Sequence, residues 1–139
     1  MPLAPPPRAP GALHPLHAML LAFPVALFPG TLLADVTYLN SSEMQWSNFA
    51  AWLNAGALLF GAPALLWAVI SAVRGPGRRA YALLLAATWI AGLVNAFQHS
   101  RDGWSSVGTT GLALSILSTV LVLAAGWAGY SVPRGGRLA

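Results

Sequence analysis

The chain contains four apolar runs, and each is long enough to cross the hydrocarbon core of a lipid bilayer. About 17 to 25 apolar residues in a helix span a core of about 30 Å. Short polar stretches separate the runs, so neighbouring spans are antiparallel. The sequence predicts an all-α fold: a polytopic integral membrane protein built as a four-helix up-down transmembrane bundle. The predicted spans are 13–38, 49–73, 80–97 and 107–130, with a polar loop at 39–48.

The low content of charged residues supports a surface that faces lipid. Only 7% of the 139 residues are charged, whereas soluble domains carry about 25%. The absence of cysteine excludes a disulfide framework, a thiolate metal site and a thiol nucleophile. The net charge of +4 comes from arginines. Because these lie between and beside the apolar runs, we interpret them as determinants of membrane orientation and not as a nucleic-acid-binding surface.

The arginines are divided unevenly between the two sides of the predicted bundle. The first and third connections hold only Arg101, whereas the second connection and the two tails hold six arginines. Segments rich in Lys and Arg stay in the cytoplasm. We therefore expect both termini in the cytoplasm, with a flexible Pro-rich tail at 1–12 and a basic tail at 131–139. The six arginines are Arg8, Arg74, Arg78, Arg79, Arg134 and Arg137.

Two histidines at the start of the first span are candidate cofactor-binding residues. His14 and His17 are three residues apart and share a face if both are helical. One interpretation is a metal or haem ligand, or a proton relay. The other is a helix cap at His14, just before Pro15, and an interfacial histidine at His17. A metal site needs three or four ligands, and neither cysteine nor a nearby carboxylate supplies them.

Polar residues are denser at the other, periplasmic end of the predicted bundle. Ionisable residues inside a membrane usually face the bundle interior and are candidates for function. Asp35 has two candidate partners here, His99 and Arg101. We weigh a buried network that fixes helix register against a polar pocket for a proton, a small ligand or a quinone head group. The predicted cluster is Asp35, Asn54, Asn95, His99 and Arg101, with Thr109, Thr110, Ser115 and Ser118 in the same outer half of the fourth span.

A b-type haem is a further alternative for the histidines. Haem ligation by two histidines needs one ligand on each face of the ring, usually from facing helices at one depth. His14 and His17 lie on one predicted helix, and His99 lies at the opposite end of the bundle. A single bundle cannot supply such a pair, although a symmetric dimer, or one histidine with a weak second ligand, could hold a haem. Standard catalytic motifs, such as a phosphate-binding glycine loop or HExxH, are missing from the sequence.

Several short motifs resemble the bacterial predicted-membrane-protein family called domain of unknown function 2231. The resemblance implies four spans in an inner membrane and brings no established activity. Members often close with a Tyr-Arg-His-Gly-Val-like tail, whereas residues 130–135 read Tyr-Ser-Val-Pro-Arg-Gly. A cytoplasmic site that needed this histidine would be impaired here. The motifs are His-Pro-Leu-His at 14–17, Phe23-Pro24, Asp35, and residues 52–61, 92–95, 99–104 and 126–127.

These observations favour a non-enzymatic role over an enzymatic one. We expect an uncharacterised, multi-pass protein of the bacterial inner (cytoplasmic) membrane, acting as a membrane subunit or anchor with a buried polar cluster near the periplasmic side. The alternative is a redox or ligand-binding module that holds haem b, a metal or a quinone through His14 and His17, or through Asp35, Asn95 and His99. Partners to consider beyond the lipid bilayer are other membrane or periplasmic redox subunits and a second copy of the chain.

Overall fold

The computed structural model describes residues 13–100 and 107–131, and it is built from four long helices. These are α1 (Pro15–Ser41), α2 (Met44–Arg74), α3 (Arg79–His99) and α4 (Thr109–Tyr130), with one turn of 3-10 helix at Pro76–Arg78. All four are long and apolar enough to cross a bilayer, and the described residues include no strand. The predicted all-α class with four spans is therefore confirmed.

The helices form a closed bundle in which chain neighbours are also neighbours in space. α1 packs against α2 and α4, and α3 packs against the same two helices. The Tyr130 hydroxyl at the end of α4 donates to the backbone oxygen of Ala18 at the start of α1, at 2.9 Å. α1 and α4 are therefore antiparallel. In the same way, His17 and Tyr81 lie near the starts of α1 and α3 and contact each other, so these two helices are parallel.

The first connection is shorter than predicted. The sequence predicts a loop at 39–48, but only Ser42 and Glu43 lie outside the helices. The hydroxyls of Thr37 and Ser41 donate to backbone oxygens one turn earlier, both at 2.8 Å, so polar side chains are satisfied inside α1. The helix ends where Ser42 adopts a left-handed conformation with a φ of 58°. The helices thus extend past the apolar runs, because polarity alone does not stop a helix.

The faces that point into the bundle are rich in small and polar residues, and the outer faces are mostly large and apolar. Leu59, Val73 and Trp127 have 69%, 81% and 80% of their surface exposed. Small interior residues allow helices to approach closely in lipid, where acyl chains cover the outer apolar side chains. The buried residues of α2 illustrate this: Ser47, Ala50, Asn54, Ala57, Gly61, Ala64 and Ala68.

All four helices meet at one aromatic side chain. Phe28 of α1 is 2% exposed and packs against Ala57 of α2 and Val122 of α4. The edge of its ring also lies against the backbone of α3 at Gly92, where a side chain would collide with it. Phe28 therefore separates the two ends of the bundle, and each end contains its own group of polar side chains.

Candidate functional site

Four polar side chains from three helices meet near the ends of α1 and α3. Asp35 of α1 is completely buried, and the His99 side chain of α3 is 2% exposed. His99 Nε2 lies 2.9 Å from Asp35 Oδ1. The hydroxyl of Ser115 on α4 donates to Asp35 Oδ2, and Asn95 Nδ2 donates to Ser115 Oγ at 2.8 Å. We call Asp35, Asn95, His99 and Ser115 the Asp35 cluster.

The contacts of His99 determine how many protons this cluster holds. His99 Nδ1 lies 2.9 Å from the backbone oxygen of Asn95. A carbonyl oxygen only accepts hydrogen bonds, so Nδ1 carries a hydrogen. One further hydrogen lies between His99 Nε2 and Asp35 Oδ1, either on an imidazolium facing a carboxylate or on a carboxylic acid facing a neutral imidazole. In both arrangements the pair is neutral as a whole. The contacts lead from Asp35 to His99, from His99 to the backbone of Asn95, from the Asn95 side chain to Ser115 and back to Asp35, so the cluster forms a closed ring of hydrogen bonds.

Serine, histidine and aspartate meet here, but not in the order of a hydrolytic triad. In a triad the imidazole contacts the serine hydroxyl, and the carboxylate orients the imidazole. Here Asp35 lies in the middle and accepts a hydrogen bond from Ser115 on one oxygen while His99 contacts the other. The imidazole is therefore not placed to take the proton of the hydroxyl. The geometry suits mutual hydrogen bonding between helices better than nucleophilic catalysis.

The other two predicted members of this cluster have different outcomes. Asn54 is completely buried on α2 and donates from Nδ2 to the backbone oxygen of Gly92 at 3.0 Å, so it joins α2 to α3 outside the ring. Arg101 lies outside the described residues. Asn54 Oδ1 and Asn95 Oδ1 are buried and have no hydrogen-bond partner within 13–100 and 107–131.

At the opposite end of the bundle, the two candidate histidines of α1 have different environments. His14 is exposed and caps α1, accepting from the backbone N–H of Leu16 on Nδ1 at 3.3 Å. His17 is 1% exposed, and its Nε2 lies 2.7 Å from the Tyr81 hydroxyl on α3. The ring of Trp67 on α2 lies beside both histidines, with centroids 5.2 and 5.5 Å away. We call His17 and Tyr81 the His17 pair.

The two ends are too far apart to share one cofactor. His17 and Asp35 are both on α1, and 18 residues of helix separate them by about 27 Å. His99 contacts Asp35, so it also lies at the far end of the bundle from His17. In the part of the chain that the structure describes, no three His, Cys, Asp or Glu side chains come together as a metal site requires. His17 Nδ1 is buried without a partner among these residues.

Two contacts were not anticipated from the sequence. The sequence does not single out Tyr81 as a candidate. It lies in the first turn of α3, and it is at the depth of His17 because α1 and α3 are parallel. The sequence predicts that Ser115 lies in the outer half of the fourth span, but it does not predict its position between Asn95 and Asp35. The sequence feature that indicates an inward-facing Ser115 is the spacing of small and polar residues along α4, where Gly111, Ser115 and Ser118 are all buried.

Comparison with known proteins identifies the family. Residues 13–134 match a family model described as "Predicted membrane protein (DUF2231)". The chain belongs to this family. The resemblance inferred from the short motifs is thereby confirmed, and the DUF2231 match includes all four helices, the Asp35 cluster and the His17 pair. No curated protein and no solved structure matches the chain. Membership in DUF2231 supports a multi-pass membrane protein and assigns no activity.

Proposed function

We propose that this protein is a non-enzymatic component of a bacterial inner membrane, a subunit or anchor in which the Asp35 cluster holds α1, α3 and α4 in register. The observation that supports this proposal is the closed ring of hydrogen bonds. Asp35 binds both Ser115 and His99, and Asn95 and His99 complete the ring. Both carboxylate oxygens of Asp35 are bound by side chains of other helices, and the side chain of Asn95 binds Ser115 on α4, which supports a network that fixes packing.

The hydrocarbon core of the bilayer explains why such a network would fix the register of the helices. A polar side chain facing hydrocarbon lacks a partner, and charged groups there are costly. Sliding one helix past another by a single turn, about 5.4 Å, would break the Asp35 contacts and leave buried donors and acceptors unpaired. Hydrogen bonds between membrane helices contribute about 1 kcal/mol each, so their main effect is to select one register among similar apolar packings.

We further propose that both termini lie in the cytoplasm and that the Asp35 cluster lies toward the periplasm, because of the arginine distribution. Alkaline phosphatase is active only after export, so a phosphatase fused after Ala139 is expected to be inactive and a fluorescent protein at that position to be bright. The matched control is a phosphatase fused after Ser42, in the first connection, which is expected to be active. An active C-terminal phosphatase contradicts this orientation.

A second candidate, a ligand-binding or redox module, is supported by one observation. His17 Nδ1 is buried, has no hydrogen-bond partner among the residues that the structure describes, and lies close to Trp67 and Tyr81. A nitrogen with a free lone pair or hydrogen in such a place could bind a small ligand. For haem, the separation of His17 from His99 means that the two axial histidines would have to come from two copies of the chain. If the ligand is a haem held by two histidines, this candidate therefore predicts a dimer with a chromophore.

Purification of the full chain in mild detergent separates the two candidates. For the structural role we expect a colourless, well-folded protein without stoichiometric metal, measured by visible absorbance, metal analysis and circular dichroism. We also expect Asp35→Asn to unfold within about 1 kcal/mol of the wild type. The new amide can accept from Ser115 and donate to His99 Nε2, so the ring stays closed. A Soret band or one metal per chain would overturn the structural proposal in favour of the second candidate.

A further inference from the structure

The end of the bundle opposite Asp35 carries a concentrated positive charge. Arg74 ends α2, Arg78 lies in the 3-10 turn, and Arg79 begins α3. The carboxylates of the described residues, Asp35 and Glu43, lie toward the other end, near or within the first connection. Within the described chain, this end therefore has three cations and no carboxylate to offset them. We call residues 74–79 the arginine turn.

Two apolar grooves run along the outside of α2 and reach this turn. The groove between α1 and α2 has a volume of about 520 Å³, with Leu20 and Trp67 on its walls and Arg74 in its lining. The groove between α2 and α3 has a volume of about 460 Å³, with Leu83 on its wall and Arg79 in its lining. Each apolar groove therefore includes an exposed arginine, Arg74 in the first and Arg79 in the second.

We propose that these grooves bind anionic phospholipids, with acyl chains along α2 and the phosphate at the arginine turn. The grooves and the arginines match the two parts of such a molecule: hydrocarbon beside Leu20 and Leu83, and a phosphate beside Arg74 and Arg79. Guanidinium groups bind phosphate through two parallel hydrogen bonds. Basic pockets between membrane helices at the cytoplasmic surface bind anionic head groups. The arginine turn lies on the side that the arginine count places in the cytoplasm.

The charge balance favours an anionic lipid over a zwitterionic one. A phosphatidylcholine head group carries its own ammonium group, which offsets the phosphate, whereas phosphatidylglycerol keeps a net negative charge. Since the described part of this end has three cations and no carboxylate, phosphatidylglycerol is attracted more strongly to the arginine turn than phosphatidylcholine. The binding is expected to weaken at high salt, because the guanidinium groups of Arg74 and Arg79 are exposed and their field is screened.

The test compares phosphatidylglycerol with phosphatidylcholine of the same acyl chains, added to the full chain in detergent. Native mass spectrometry counts retained lipids, and a thermal melt measures stabilisation. The wild type is expected to retain phosphatidylglycerol preferentially. Arg74→Gln with Arg79→Gln is expected to weaken phosphatidylglycerol binding about thirtyfold, from about five- to sixfold per arginine. The matched control, Arg134→Gln with Arg137→Gln, lowers the net charge from +4 to +2 equally but leaves the turn intact.

Each outcome decides the proposal. Equal retention of both lipids by the wild type, or an equal loss in the control variant, would overturn it. So would stabilisation by inorganic phosphate alone equal to that by phosphatidylglycerol, since the grooves would then contribute nothing. If the double variant does not fold, the salt dependence of the wild type decides. A lipid preference that persists unchanged at high salt contradicts binding through the arginine turn.

Discussion

Replacing Asp35 with alanine is expected to lower the free energy of unfolding by about 3 kcal/mol, the lower end of the range of about 3 to 5 kcal/mol found when one partner of a buried charged pair is removed. Asp35 is completely buried and accepts from Ser115 while it shares a proton with His99. Alanine leaves both partners without their acceptor and opens a cavity between three helices. The measurement is the unfolding of the purified protein in detergent, followed by circular dichroism.

The control for this experiment is Thr31→Ala on the same helix. Thr31 is also completely buried, but its hydroxyl donates to the backbone oxygen of Leu27 within α1, at 2.9 Å, and to no second helix of the described chain. We expect this substitution to cost about 1 kcal/mol or less. A double variant with His99→Ala should cost clearly less than the sum of the two single substitutions, since both remove the same contact. Additive costs, or an Asp35→Ala variant as stable as Thr31→Ala, would contradict a register-fixing role.

The sequence predicts which polar residues belong to a buried cluster better than it predicts which residues they contact. Asp35 and His99 stand out because ionisable residues are rare inside membranes. Which way each helix is rotated about its axis is harder to infer. A helix in lipid is apolar on nearly all sides, so the period of hydrophobic residues does not define its inner face. The sequence therefore predicts a depth for Ser115 but not a partner, and it does not predict the contact between Tyr81 and His17.

Helix ends were predicted less well than helix cores for a related reason. Apolar composition reports where the hydrocarbon lies, whereas the hydrogen-bonded helix continues until a residue such as Ser42 turns the chain. Thr37 and Ser41 satisfy their hydroxyls on the helix backbone, so nothing in their polarity forces the helix to stop. The extent of the membrane span thus depends on the hydrocarbon around the chain, whereas the extent of the helix depends on its backbone hydrogen bonds.

Replacing Gly92 with alanine is expected to lower the free energy of unfolding by about 2 kcal/mol, even though alanine favours a helix over glycine by about 1 kcal/mol. A Cβ atom at Gly92 would lie 2.5 Å from Cε1 and Cζ of Phe28. Phe28 is 2% exposed and touches the other helices, so its ring has little room to move. Overfilling a packed core costs about 1 to 3 kcal/mol. The backbone oxygen of Gly92 also accepts from Asn54, a bond that a shift of α3 would stretch.

The control and the rescue make the steric cause testable by thermal unfolding in detergent. Gly30 lies inside α1, and a Cβ atom there would meet Leu53 Cδ1 at 3.5 Å, an ordinary contact. Gly30→Ala should therefore be neutral or slightly stabilising. Phe28→Leu removes the ring edge that obstructs position 92, so combining it with Gly92→Ala should cost less than the two changes added together. If the collision is the cause, alanine at position 92 is tolerated only when Phe28 is replaced by leucine. Strictly additive costs would instead mean that the backbone of α3 relaxes around the new methyl group and that Phe28 does not hold the helices at a fixed separation.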